Sequence, residues 1–248
     1  MSDSIAVELT EVSFSRPQRG HKADKARLQV LDGIDLQVAT GETVAIVGPN
    51  GCGKSTLLEL ACGLIEPDMG TVRSEPIALM PQRGLLMPWA SALDNAALGL
   101  RAEGASKSDA RDTAREWFSR LGLEGFESVR PNELSGGMRQ RVALARTLMT
   151  GRPVIALDEP FAALDALSRI EARNWLLDAL PEAGRTVLLV THDVEEAAIL
   201  ADRILVLSKR PASVIAEIAP ASAAPRDRTS DEVLGSREQI LAFLGVEG

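Results

Sequence analysis

The sequence predicts an α/β fold built on a doubly wound, mainly parallel sheet, and three observations carry that expectation. Four short apolar runs rich in β-branched residues, at 44–47, 77–80, 154–157 and 187–190, lack period-two alternation, as strands buried on both faces do. Helical patterns separate them: 54–62 closed by Gly63, 165–180 closed by Pro181, and 194–200. Between 88 and 137 the pattern changes to helical stretches at 91–100 and 109–121 with no convincing strand among them, which reads as a helical subdomain inserted into the sheet core. Residues 219–231 are rich in Ala, Pro and Ser and read as a linker leading to a short amphipathic helix that contains Ile240, Leu241 and Phe243.

Composition excludes several classes. A chain of 248 residues, 45% hydrophobic and 25% charged, can bury a substantial core. The net charge of -8 argues against a protein whose main task is neutralising nucleic-acid phosphates. The first twelve residues carry acidic groups and no basic leader region, and no run reaches the roughly 18 apolar residues needed to span a bilayer, so a soluble cytoplasmic chain is expected. Cys52 and Cys62 lie ten apart with no histidine near them, which suggests free thiols rather than a disulfide framework or a zinc site.

The run GPNGCGKST holds Gly48, Pro49, Asn50, Gly51, Cys52, Gly53, Lys54, Ser55 and Thr56. It matches GxxxxGK[ST] and sits after a strand and at the start of a helix, as a phosphate loop requires. Glycines at 48, 51 and 53 permit the backbone angles that turn successive amides inward, and the helix N-terminus adds its dipole. Lys54 is expected to neutralise the terminal phosphates and Ser55 to ligate magnesium. Cys52 reads as a filler whose side chain need not touch phosphate, with a redox-sensing role as the sharper alternative.

VIALDEP, at 154–160, brings two carboxylates to the C-terminal end of a buried strand. Alone they could cap a helix. Beside a phosphate loop, Asp158 is expected on magnesium and Glu159 on the attacking water. His192 and Gln82 also follow apolar strands, so polar groups converge at the carboxyl ends of four strands, where open α/β sheets bind ligands. LSGGMRQR, at 134–141, supplies a second anion site: Ser135, Gly136 and Gly137 form a helix N-terminus with exposed amides.

LSGGMRQR resembles the signature of ABC transporter ATPases almost letter for letter, and the likeness runs from residue 7 to residue 214 with every hallmark in family order. It implies a P-loop NTPase (RecA-like) core with N-terminal antiparallel β elements and an inserted α-helical subdomain. The expected cassette spans 5–218, with core 5–84 and 150–218, helical subdomain 85–149, and a linker and short helix at 219–248. The resemblance further implies binding and hydrolysis of ATP with Mg²⁺. Gln82 would be the Q-loop residue sensing magnesium, also a metal ligand, and the membrane partner; Asp165 the D-loop residue; and His192 the switch histidine on the γ-phosphate. It implies a head-to-tail homodimer in which one subunit's signature completes the other's ATP site. One position departs from the pattern: Arg16 stands where the family usually has an aromatic residue that stacks on adenine. Arg16 either stacks through its planar guanidinium or is a solvent-exposed arginine. The following Arg19, Lys22, Lys25 and Arg27 read as a solvated loop.

QRGLLMPWASALDNAALGL, at 82–100, and APRDRTSD further on resemble the ATPases of nitrate, sulfonate and taurine importers. That implies integral-membrane permease subunits as partners, a solute-binding protein indirectly, no nucleic acid, and a peripheral position on the cytoplasmic face of the membrane. Leu85, Leu86 and Trp89 read either as plain core packing or as part of a groove that receives a permease helix. An exporter ATPase and a soluble non-transport ABC ATPase are the alternative readings.

Overall fold

Two long strands, β1 (Ile5–Pro17) and β2 (Arg27–Ala39), pair antiparallel and turn Val7, Leu9, Leu36 and Val38 inward, with Leu9 opposite Leu36 and Val7 opposite Val38. The inward phase of β1 then changes from odd to even at Val12, because a bulge lies between Leu9 and Val12 with Glu11 at φ +51°. A β-carbon on Gly70 would lie 2.4 Å from the carbonyl oxygens of Thr10 and Glu11 in that bulge, so only glycine fits there.

The computed structural model describes residues 4–17, 27–179 and 184–245. It divides into two units, Met1–Ile77 with Thr186–Gly248, and Ala78–Arg185. In the first unit, β3 (Thr43–Val47) leads into α1 (Lys54–Ala61), and β4 (Met69–Ser74) completes a three-stranded sheet in the order β2-β1-β4. The same unit holds β7 (Thr186–Val190), α6 (Val194–Leu200), β8 (Arg203–Leu207), β9 (Val214–Ile218) and α7 (Asp231–Leu244), numbered in chain order. Strand β3 pairs in parallel with β7 on one side and β8 on the other, and β9 closes the edge antiparallel to β8. Its residues Val44 to Val47 are at most 1% exposed, which accounts for the missing alternation.

Residues 219–231 are not a free linker. The Arg226 guanidinium is buried and donates to the carbonyls of Ala198 (3.1 Å) and Ala201 (2.6 Å) at the end of α6 and to that of Ser222, while its backbone N–H meets the Ile199 carbonyl. Low-complexity composition reads as solvated chain, but these bonds use carbonyls that the last turn of a helix leaves open. Helix α7 starts at the Ser230 cap, ends at Gly245 in the left-handed region, and packs against α6. Its buried side is Val233, Ser236 and Ile240; Leu241 is half-buried and Phe243 faces outward.

In the second unit β5 (Ile77–Met80) lies beside β6 (Val154–Asp158). The rest is α2 (Ala92–Ala102), α3 (Lys107–Arg120), α4 (Gly136–Leu148) and α5 (Ala166–Ala179). Ser91, Ser106 and Ser135 each accept a backbone N–H three residues on and so set where α2, α3 and α4 begin. The Ser106 cap explains why α3 starts two residues before the predicted Asp109. The predicted helix end at Leu180 and Pro181 lies outside the described residues.

Leu93, Ala96, Ala110, Phe118, Leu121 and Val142 form the core of the helical part. Helices α2 and α4 cross so closely at Gly99 that a β-carbon there would lie 2.5 Å from the backbone carbonyl oxygen of Arg146. Gly99→Ala is therefore expected to destabilise the protein by about 1–3 kcal/mol, although alanine has the better helix propensity. A thermal melt of the variant checks this, and a raised melting temperature would contradict the close crossing.

Candidate nucleotide site

The loop that leaves β3 is shaped by its glycines for two different reasons. Gly51 (φ +73°) and Gly53 (φ +133°) occupy backbone angles that side chains avoid, and a β-carbon on Gly53 would also press on Val30 and Leu31 of β2 at 2.9 and 2.8 Å. Gly48 needs no unusual angle. Space is its constraint, since a β-carbon would approach the Leu207 carbonyl oxygen to 3.0 Å and Cys52 Sγ to 3.2 Å. Cys52 is 2% exposed, with its Sγ packed against Gly48.

Lys54 opens α1 and folds its side chain back along the loop, with Nζ donating to the carbonyls of Gly48 (2.7 Å) and Pro49 (3.2 Å). A cation is thus fixed against the carbonyls of the loop at a helix N-terminus, next to Ser55 and the buried Thr56. Arg210 braces the outer side of the loop by donating Nε to the Gly51 carbonyl at 3.1 Å. Among the described residues a cavity of about 270 Å³ lies between this part of the loop and Lys209 and Arg210.

Arg16 is neither free in solvent nor presented as an open plate. Its Nη2 donates to Thr56 Oγ1 at 3.0 Å and forms an ion pair with Glu59 one turn along α1, with about half of the side chain exposed. Arg27 is likewise engaged, donating to the Ser15 carbonyl (2.7 Å) and pairing with Asp68, whereas Arg19, Lys22 and Lys25 lie outside the described residues.

Parallel pairing of β3 with β7 places His192 at the same sheet edge as the phosphate loop. The histidine is exposed on a turn tied down by Thr191, whose hydroxyl donates to Glu196 (2.7 Å) and accepts from the Asp193 N–H (3.0 Å). Asp193 then caps α6.

The second unit builds its part on β6, all five of whose residues are buried. Asp158 ends the strand at 7% exposure. Glu159 follows with φ +49°, an angle uncommon for a residue with a side chain, and its carboxylate accepts a hydrogen bond from Gln82 Nε2 at 2.8 Å. That bond joins the C-terminal ends of β5 and β6. Gln140 of α4 donates to the Glu159 backbone carbonyl at 3.4 Å.

Ser135 is exposed at the head of α4, where its Oγ accepts the Met138 N–H at 3.2 Å. Gly137 admits no side chain, because a β-carbon would meet Leu164 at 2.9 Å. Asp165 accepts the N–H groups of Leu167 and Ser168, both at 3.1 Å; hydrogen bonds from Ser168 first, and then Leu167, hold its carboxyl below the usual range. Sequence reasoning missed Gln140, Arg146, Arg210 and Asn95. Gln140 lies within LSGGMRQR and Asn95 within the 82–100 segment, but neither pattern signals their bonds, and polar residues on helices and loops read as solvated.

Core packing fails for two of the three residues Leu85, Leu86 and Trp89. Leu85 is 67% and Trp89 73% exposed, while Leu86 packs against the helical core. The turn that presents them is held by Asn95, 1% exposed, which accepts the Met87 N–H and donates to the carbonyls of Met87, Ala90 and Ser91. Next to it, Arg146 donates to the carbonyls of Gly84 (2.6 Å) and Leu85 (3.0 Å).

A family model described as ABC transporter matches residues 31–162, a span that includes the phosphate loop, Ser135 to Gly137, and both Asp158 and Glu159. The chain belongs to the ABC transporter family. It is an ATP-binding cassette, and its mixed α/β fold matches solved cassettes. The ATP-binding cassette MJ0796, solved as a dimer in a post-hydrolysis state bound to ADP and Pi, superposes with a TM-score of 0.79 at 31% identity, covering 88% of this chain and 100% of that one. The aliphatic sulfonates import ATP-binding protein SsuB 1 of Rhodococcus jostii is 43% identical, over 86% of each chain. The taurine import ATP-binding protein TauB of Yersinia pestis is 41% identical over 75% of this chain and 76% of its own. Among the described residues of the cassette, no helix is long and apolar enough to cross a membrane.

The thiol of Cys62 is pushed up to about 12 by burial and then by the charge of Glu59, so about a thousandfold less thiolate is present at neutral pH than at an ordinary thiol. With Cys52 buried beneath the loop, the native cassette is expected to label with neither cysteine at pH 7.5 and with both after denaturation, as titration with a thiol reagent will show.

Proposed function

We propose that the cassette hydrolyses ATP to drive a membrane importer of small solutes of the nitrate, sulfonate and taurine kind. The observation that carries the hydrolytic reading is Glu159, placed directly after a buried aspartate at a strand end and held by Gln82. Support for import comes from the names of the sulfonate and taurine relatives, and from Leu85 and Trp89 standing exposed on a braced turn.

In this reading the amides of Gly51, Cys52 and Gly53 and the Lys54 ammonium hold the β- and γ-phosphates, with Pro49, Asn50 and Thr56 completing the loop around them. Ser55, Gln82 and Asp158 offer a hydroxyl, an amide oxygen and a carboxylate. That sparse set of hard oxygen donors suits Mg²⁺, which keeps waters and phosphate oxygens in its shell, and no cluster of three His, Cys, Asp or Glu groups is found among the described residues to favour another ion. Bound there, Mg²⁺ would neutralise charge building on the phosphates. Glu159 takes the proton of the attacking water, and the exposed His192 imidazole contacts the γ-phosphate.

The exposed cap of Ser135 with Gly136 and Gly137 offers a second anion-binding helix end. We infer that it closes on the ATP of a second copy of the chain, with Asp165 shaping the turn beside it, so that the working form is a homodimer. The turn carrying Leu85 and Trp89 then receives a permease subunit, and a solute-binding protein acts only through that permease. In this reading the cassette works at the cytoplasmic face of the membrane. For Arg16, the ion pair with Glu59 supports a role at the rim of the site beside Thr56 rather than stacking on adenine.

Glu159→Gln is expected to lower the steady-state ATPase rate by about 10² to 10⁴ while ATP binding is kept. Normal turnover by that variant rules out the base. For the dimer, mixing inactive Lys54→Ala and Ser135→Arg subunits should restore hydrolysis, with one intact site per heterodimer; a mixture as inactive as its parts contradicts the shared site.

A further inference from the structure

We propose that Arg146 is a positioning residue for hydrolysis: by holding the carbonyls of Gly84 and Leu85 it fixes the loop that carries Gln82, and so fixes the hydrogen bond that orients the Glu159 carboxylate. The inference rests on the reading of Glu159 as the base. The segment between β5 and α2 has no regular structure of its own, so its backbone polar groups need partners from elsewhere. Asn95 supplies them from Met87 to Ser91, and Arg146 supplies them at Gly84 and Leu85, with two nitrogens of one planar group on two successive carbonyls.

The clamp is itself anchored. The backbone of Arg146 lies at the close crossing with Gly99, where α4 cannot shift toward α2. Gly84 is buried with the Ala143 methyl 3.4 Å from where its own β-carbon would stand, so the loop rests directly on α4. Six residues before Arg146 on the same helix, Gln140 donates to the backbone of Glu159. One helix therefore steadies both partners of the Gln82–Glu159 bond, and loss of Arg146 frees only the Gln82 side. Leu85, whose carbonyl Arg146 holds and whose φ is +41°, is exposed, so a load on its side chain arrives at the same clamp.

The test measures ATPase rate against ATP concentration for the full chain and its variants. Arg146→Met is expected to lower kcat by about tenfold with KM changed by less than about twofold, and Arg146→Lys to recover part of the loss, because lysine keeps the charge but lacks the fork. In a Gln82→Ala background, adding Arg146→Met should change kcat by less than about twofold, because the residue acts through Gln82. The full tenfold loss in that background, an unchanged kcat in the single variant, or a rise in KM matching the fall in kcat overturns the proposal. Should Arg146→Met fail to fold, Arg146→Lys in the two backgrounds gives the same additivity test. Glu159→Gln run in parallel keeps the two readings apart: full activity there removes the base, whereas additivity of Arg146 with Gln82 removes the clamp alone.

Discussion

Burial of β3 on both faces and both edges is the constraint from which the nucleotide-binding half follows. With β7 and β8 hydrogen-bonded on either side, the strand is fixed in register, and its end fixes where the next loop starts. The loop then has little room: Leu207 crowds Gly48, and Val30 and Leu31 crowd Gly53. The geometry of the loop is thus a product of packing as much as of glycine flexibility. The same parallel pairing that holds β3 delivers His192 to the neighbouring strand end, so one set of ladder bonds positions two chemically distinct groups.

The other unit achieves comparable control with a helix. Helix α4 begins at the Ser135 cap and carries Gln140 and Arg146 down its length, so a segment recognised by its first residues also disciplines the acidic strand end. The cost is paid locally in backbone angles, at Glu159 and Leu85, where side chains sit in a region of φ normally left to glycine. Both residues are held by bonds to that region of the molecule, which is how such angles persist.

Legibility followed the physics of each signal. Runs buried on both faces announce themselves, and β3, β5, β6 and β7 lie where the apolar segments predict them, within a residue at each end. Lys54, Asp158 and Glu159 were readable because their chemistry demands fixed spacing from a strand end. Leu85 and Trp89 were ambiguous because hydrophobicity gives no direction, and only the bonds of Asn95 show that the turn points them outward. Arg146 and Arg226 were invisible for a related reason: their main hydrogen bonds go to main-chain carbonyls, which no residue type in the sequence announces. Arg16 shows the reverse, a departure from a family pattern that is easy to see in sequence but whose partner, Glu59, emerges only when β1 is laid against α1.

The engagement of Arg226 bears on where this cassette can be cut. Its guanidinium and backbone cover three carbonyls near the C-terminal end of α6, and α7 lies over the same helix. A fragment trimmed to the last strand of the sheet would keep α6 but lose Arg226 and α7, exposing those carbonyls together with Ile199 and Leu200 to solvent. A piece that keeps the end of α6 covered therefore extends well past the motifs, and its outer boundary is set by an arginine that has no part in the chemistry.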